Sequence, residues 1–288
     1  MKLLRVGPQG AERPAMLDAD GALRDLSGVL SDISAATLAP AELARLRALD
    51  PTSLPRLDAP GRIAPPWSGM GKFICVGLNY ADHAAEAGMP LPEEPILFMK
   101  PPSCAIGARD AVVLPQGSSK SDWEVELGVV IGRRARYVSE AQALDHVAGY
   151  CVVNDLSERA YQLERGGTWD KGKGCDTFGP VGPWLVTSDE VADPQDLTLW
   201  LDLNGRRMQT GNTRTMVFGV AQLLSYISRF MTLYPGDLIS TGTPPGVGMG
   251  IKPAPVFLRP GDQLRLGIAG LGEQTLQVHA WSEALLGD

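Results

Sequence analysis

The chain has no surplus of basic residues. Its 26 Lys and Arg stand against 33 Asp and Glu, a formal net charge of −7. Nothing is left over to offset phosphate charge, so nucleic acid and anionic membrane surfaces are not expected partners. No uncharged apolar run approaches the length of a bilayer span. Residues 1–8 contain no long apolar core of the secretory-signal kind. Four cysteines, Cys75, Cys104, Cys151 and Cys175, form no CxxC pair, which fits free thiols in a reducing compartment. Together these features predict a soluble cytoplasmic protein. The Gly/Pro stretch at 238–250 lacks the GK[ST] ending of a P-loop, and proline-rich sequence follows where a Rossmann helix would begin. Both nucleotide motifs are therefore excluded.

The chain does contain a globular core. It has 288 residues, 44% hydrophobic and 20% charged, enough for one large domain with an appendage. Glycine (33) and proline (23) imply many turns between short apolar runs. The expected class is strand-rich α+β with few helices. Residues 1–68 read as a small N-terminal domain and linker, and 69–288 as the main domain. In the first part, strands are expected at 3–6, 15–17 and 21–26, followed by a short helix at 40–49. Pro51, Pro55, Pro60, Pro65 and Pro66 then mark a linker.

The informative stretch is Asp122-Trp123-Glu124-Val125-Glu126-Leu127. Its alternation puts Trp123, Val125 and Leu127 on one strand face, and Glu124 and Glu126 on the other. Two like charges so placed repel, and either water or a cation must lower that cost. Water is the simpler answer. However, Gly128-Val129-Val130-Ile131 continues the strand as an unbroken apolar run, as in a strand buried on both faces. A carboxylate pair leading into core resembles a cavity floor more than a solvated edge.

Other segments offer candidates. His83 and Glu86, three apart on an expected short helix, share a face. They form either a general base with its orienting carboxylate or an exposed ion pair. Gly88 and Pro90 at the exit of this segment suit a hinged lid. Lys100 ends a strand and faces either a site or water. Asp155 closes an apolar strand at 147–155, as a ligand or a helix cap. Arg159 and Gln162 share one helical face after it. Residues 168–180 read as a glycine-broken loop carrying Lys171 and Lys173. Thr215 is expected to open an amphipathic helix. Backbone N–H groups and the Thr243 hydroxyl around a tight bend suit a carboxylate.

As a set in this order, five motifs resemble the fumarylacetoacetate hydrolase superfamily. They are Val76-Gly77-Leu78-Asn79-Tyr80-Ala81-Asp82-His83, the acidic strand, Val153-Asn154-Asp155, Lys171-Gly172-Lys173-Gly174-Cys175-Asp176, and Ser240-Thr241-Gly242-Thr243-Pro244-Pro245-Gly246-Val247-Gly248. The resemblance covers residue 69 to the C-terminus. It implies a mixed β-roll or β-sandwich, a homodimer, and Mg²⁺ or Mn²⁺ on Glu124, Glu126 and Asp155. It also implies a His83–Glu86 dyad, an active-site Lys173, and substrate contacts from Asn79, Tyr80, Arg159, Gln162 and Thr243. The implied activity is C–C hydrolysis of a 2,4-diketo acid of the acylpyruvate type, giving pyruvate and a second carboxylic acid. Residues 1–5, 179–185 and 211–216 look most like those of bacterial hydrolases of 2,4-diketo-3-deoxy sugar acids. The alternatives on the same metal-enolate site are ureidoglycolate lyase, 2-hydroxyhepta-2,4-diene-1,7-dioate isomerase and oxaloacetate decarboxylase. A non-catalytic sugar-acid binding protein is a further alternative.

Overall fold

The central strand of the molecule is Val125–Ile131, and all seven of its residues are buried. It lies between Val147–Asn154 and Leu238–Ser240 in a computed structural model that describes residues 1–59, 61–82, 86 and 90–286. Burial on both faces explains why its alternation gives way to a continuous apolar run. At Gly128 an added Cβ would lie 2.7 Å from Val153 Cγ2 and 2.8 Å from Cys151 Sγ. The missing side chain is what lets the neighbouring side chains close over the strand.

The main sheet runs in the order Leu23–Asp25, Arg13–Leu17, Lys2–Val6, Gly179–Thr187, Val147–Asn154, Val125–Ile131, Leu238–Ser240, Phe73–Gly77 and Ile96–Lys100. Most neighbours are antiparallel, but Leu238–Ser240 pairs parallel with Phe73–Gly77. A second sheet orders Arg206–Asn212, Thr198–Leu203, Gln263–Ile268, Gly272–His279 and Val112–Val113. Its Asn204-Gly205 turn has φ values of 51° and 76°. Those positive angles suit the twist of a two-residue hairpin. The fold is strand-rich α+β with mixed sheets, as expected.

The first strands extend the main sheet. Lys2 pairs with Val186 and Leu3 with Leu185. Leu3, Met16 and Leu26 share one core cluster with Phe73, Val130 and Cys151.

Two local expectations change. The helix expected from Thr215 begins later, at Val220–Phe230, after a 3₁₀ turn at Thr213–Thr215. Asn79 is the physical reason: its carbonyl accepts from Val217 N and its Oδ1 from Phe218 N, which holds that backbone out of the helix. The loop expected at 168–180 contains one helical turn, Asp170–Lys173. An added Cβ at Gly172 would sit 2.4 Å from Glu158 O and 2.5 Å from Gln162 N. Glycine thus lets this turn dock against Arg159–Leu163 and carry Lys173 inward. No described helix is long and apolar enough to cross a membrane.

Candidate active site

The ends of the central strands open into a cavity of about 390 Å³. Glu124, Glu126, Arg159 and Lys173 line its charged part. Leu78, Phe98, Leu163, Trp169, Val247 and Met249 line the apolar part. Gln162, Thr243 and Glu86 also face it.

The acidic pair is deeply buried: Glu124 is 6% exposed and Glu126 2%, and Asp155 beside them is fully covered. The register explains the meeting. Val125 pairs with Asn154, so Glu124 and Asp155 fall at the same end of adjacent antiparallel strands. The Asp155 amide donates to Glu124 O at 2.9 Å, which fixes that end. One ligand atom from each of Glu124, Glu126 and Asp155 lies within 4.8 Å of the others.

Cations interleave with these carboxylates. Lys173 Nζ donates to Glu124 Oε2 at 2.5 Å and to Asp155 Oδ2 at 2.8 Å. Lys100 Nζ donates to Asp155 Oδ1 at 2.6 Å and to Leu156 O at 2.9 Å. Arg159 donates to Glu124 Oε1 at 2.7 Å, to Asp122 Oδ2 at 2.8 Å and to Gln162 Oε1 at 3.0 Å. Burial opposes ionisation of Glu124, but Lys173 and Arg159 outweigh it and lower its pKa to about 2. Burial also works against the Lys173 ammonium, yet Asp155 and Glu124 hold its pKa above the ordinary lysine value.

Glu126 lacks this compensation. Its Oε2 accepts from Ser240 Oγ at 2.6 Å and from Gly242 N at 2.9 Å. Burial, then the carboxylates of Asp155 and Glu124, push its pKa well above the carboxylate range. The cluster holds four buried carboxylates (Asp122, Glu124, Glu126, Asp155) against three buried cations (Lys100, Arg159, Lys173). Ionising Glu126 would leave the cluster one positive charge short, at the point where three carboxylates converge. An all-oxygen set of this kind fits a hard divalent cation such as Mg²⁺ or Mn²⁺.

Thr243 lines the cavity, but its hydroxyl is engaged. It donates to Val125 O at 2.9 Å and accepts from Gln209 Nε2 at 2.8 Å. Glu86 is held at the same loop, where Gly246 N donates to its two carboxylate oxygens at 3.1 Å each. His83 lies outside the described residues. Asn79 and Tyr80 are fully buried and do not line this cavity. The Asn79 amide is taken up by Phe218 O, Thr241 O and Phe218 N, so it braces two loops. The Tyr80 hydroxyl is a buried orphan among the described residues.

Sequence reasoning missed Asp122, and it left Lys100 undecided between site and solvent. The signal for Lys100 was weak, because a strand-terminal lysine is usually solvated. Its burial goes with its partners: Asp155 and the Leu156 carbonyl take up the ammonium inside the protein.

Comparison with known proteins adds a second, independent line. The family model described as fumarylacetoacetate (FAA) hydrolase C-terminal matches residues 72–279. A Burkholderia lata protein with only the provisional name of hydrolase is 64% identical over 274 residues, 95% of this chain and 97% of that one. Three solved structures each cover 98% of this chain and 100% of their own. The fumarylacetoacetate hydrolase of Exiguobacterium antarcticum is 35% identical, with a TM-score of 0.84. The maleylpyruvate hydrolase of Sphingobium sp. SYK-6, solved with manganese(II) and pyruvate, is 30% identical, with a TM-score of 0.81. The 2-hydroxyhepta-2,4-diene-1,7-dioate isomerase of Mycobacterium marinum is 33% identical, with a TM-score of 0.75.

Proposed function

We propose, from the premise that this chain belongs to the fumarylacetoacetate hydrolase family, that it is a divalent-metal-dependent hydrolase of 2,4-diketo acids. It would release pyruvate and a second carboxylic acid. Among such acylpyruvates, the 2,4-diketo-3-deoxy sugar acids are the subclass its sequence resembles. The observation that carries the reading is the convergence of Glu124, Glu126 and Asp155, all buried, in the cavity.

Glu124, Glu126 and Asp155 would hold a divalent cation, which would supply Lewis-acid charge at the keto acid end of the substrate. Lys173, wedged between Glu124 and Asp155, brings a permanent positive charge to the same place. It favours the enolate as negative charge builds. Gln162 and Arg159 orient the substrate's anionic groups toward the charged end, away from the apolar wall of Leu78, Phe98 and Trp169. In this reading His83, oriented by Glu86, takes a proton from water as its oxygen adds to the C4 carbonyl. The C3–C4 bond then breaks, its electron pair leaves on C3 as pyruvate enolate, and the proton returns to C3. Such acid–base work supplies about 10²–10⁴-fold.

The test is pyruvate release from a panel of 2,4-diketo acids, with Mg²⁺, with Mn²⁺ and with EDTA. Metal-dependent pyruvate plus an equimolar second acid is the expected result. The Mycobacterium marinum isomerase at 33% identity supports a second reading, an isomerase working through the same enolate without attack by water. Substrate consumption without pyruvate would select it.

A further inference from the structure

Asp122 stands next to the acidic pair and is fully buried, yet it is neither one of the three converging carboxylates nor a cavity-lining residue. Its hydrogen bonds run in two directions. Oδ1 accepts from Gly248 N at 2.6 Å and from Trp123 N at 2.8 Å. Oδ2 accepts from Met249 N at 3.0 Å and from Arg159 Nε at 2.8 Å. One carboxylate therefore grips the loop after Leu238–Ser240 and, through Arg159, the Glu124 side chain.

The adjacent residue repeats the grip. Trp123 Nε1 donates to Gly246 O at 3.1 Å. Gly246 is also the residue whose N–H holds Glu86. The loop has little freedom to give. Gly246 has φ +101°, and a Cβ there would lie 2.0 Å from Met208 O. A Cβ at Gly248 would lie 2.1 Å from Val256 O and 2.7 Å from Asp122 Oδ1. Met249 and Gly250, next along the loop, line the cavity, and a Cβ at Gly250 would touch the Glu86 carboxylate at 3.1 Å. The distance between Glu86 and the Glu124 end of the site is thus set through Gly246, Gly248, Asp122 and Arg159. The backbone of Asp122 is anchored by pairing with Ser157.

We propose that Asp122, assisted by Trp123, is a positioning residue that registers the Gly246–Gly250 loop, and Glu86 with it, over the metal-binding carboxylates. That Glu86 serves catalysis rests on the function proposed above; the gripping of the loop does not. An Asp122→Asn variant keeps shape and one acceptor oxygen. Its Nδ2 must then face an N–H donor, so one side of the grip fails. A displacement of this kind is felt as lost turnover more than lost binding, because alignment matters most in the transition state.

The test uses the full-length protein loaded with Mn²⁺ and takes three measurements. Amide exchange at Gly248 and Met249 is expected to quicken by about tenfold or more in Asp122→Asn. Calorimetric binding of Mn²⁺, and of oxalate to the Mn²⁺-loaded protein, is expected to stay within about threefold of wild type. On any 2,4-diketo acid that the wild type cleaves, kcat is expected to fall by about 10–100-fold with a smaller change in KM. Trp123→Phe, which keeps the packed ring and loses only the Nε1–H donor, is expected to show the same pattern at smaller size. It decides the matter if Asp122→Asn does not fold. Unchanged exchange at the loop, or loss of Mn²⁺ binding in step with loss of turnover, overturns the proposal. If the wild type cleaves no diketo acid, the proposed function fails, while exchange and oxalate binding still test the grip.

Discussion

At the scale of single residues, the site is a contest between cations for buried carboxylates. Glu126 has a hydroxyl and an amide as its partners, whereas Glu124 and Asp155 each hold a lysine. Substitution of Glu126 by Ala is therefore expected to abolish both metal binding and turnover. Full metal content in purified Glu126→Ala would sink the ligand assignment. His83→Ala is expected to keep its metal by the same assay and lose turnover. Lys100 makes a different kind of contribution. It and Asp155 are both fully covered, so Lys100→Met leaves Asp155 with half of its compensation. Breaking a buried pair from one side costs about 3–5 kcal/mol. Urea melts of the metal-free variant should register that loss, and a change below about 1 kcal/mol would refute the role.

At the scale of elements, glycines decide how closely the wall can approach. A Cβ on Gly77 would fall 2.4 Å from one ring carbon of Trp169 and 2.8 Å from another. Trp169 immediately precedes the Asp170–Lys173 turn and packs edge-on against Phe98 at 5.2 Å. Gly77→Ala is therefore expected to push the turn that carries Lys173. Misplacement of about an ångström can cost 10²-fold. Steady-state kinetics should show a drop in kcat/KM of that order with a near-normal melting curve. Which elements were legible in sequence follows the same logic. The strands at 73–77 and 147–154, and the 128–131 half of the central strand, announce themselves by apolar runs, because burial on both faces leaves that pattern. The Asp170–Lys173 turn does not, since a four-residue helix bearing two lysines and a glycine has no periodicity to read. The late start of Val220–Phe230 was hidden for another reason. It depends on Asn79, 139 residues away, catching the backbone of Phe218.

At the scale of the molecule, the proposed metal and the continuity of the sheet give two further tests of global stability. A ligand that binds only the native state adds about 2.7 kcal/mol when present at 100 times its Kd. Mn²⁺ should therefore raise the melting temperature of the wild type and leave that of Glu126→Ala unmoved, by scanning fluorimetry against EDTA. The N-terminal strands are expected to be indispensable. Lys2–Val6 covers the edge of Gly179–Thr187, and Leu3 and Met16 pack in the same core cluster as Phe73 and Val130. Residues 69–288 expressed alone would expose that edge and that apolar surface. Soluble, cooperatively folding 69–288 would contradict this.

Sequence alone determined the strand-rich class and the acidic strand that enters the core. It also determined the acidic residues and the lysine that meet in the cavity. All of these are written in local pattern, alternation and short motifs. Only the tertiary structure decided which charges share a cavity. Asp122, Lys100 and Gln209 are ordinary residues in sequence. They matter because the fold brings them against Arg159, Asp155 and Thr243. Asn79 moved the other way, from expected substrate contact to brace, once its amide met two distant carbonyls. Side-chain pairing across separations of 34 to 162 residues is a long-range property, and no local pattern encodes it.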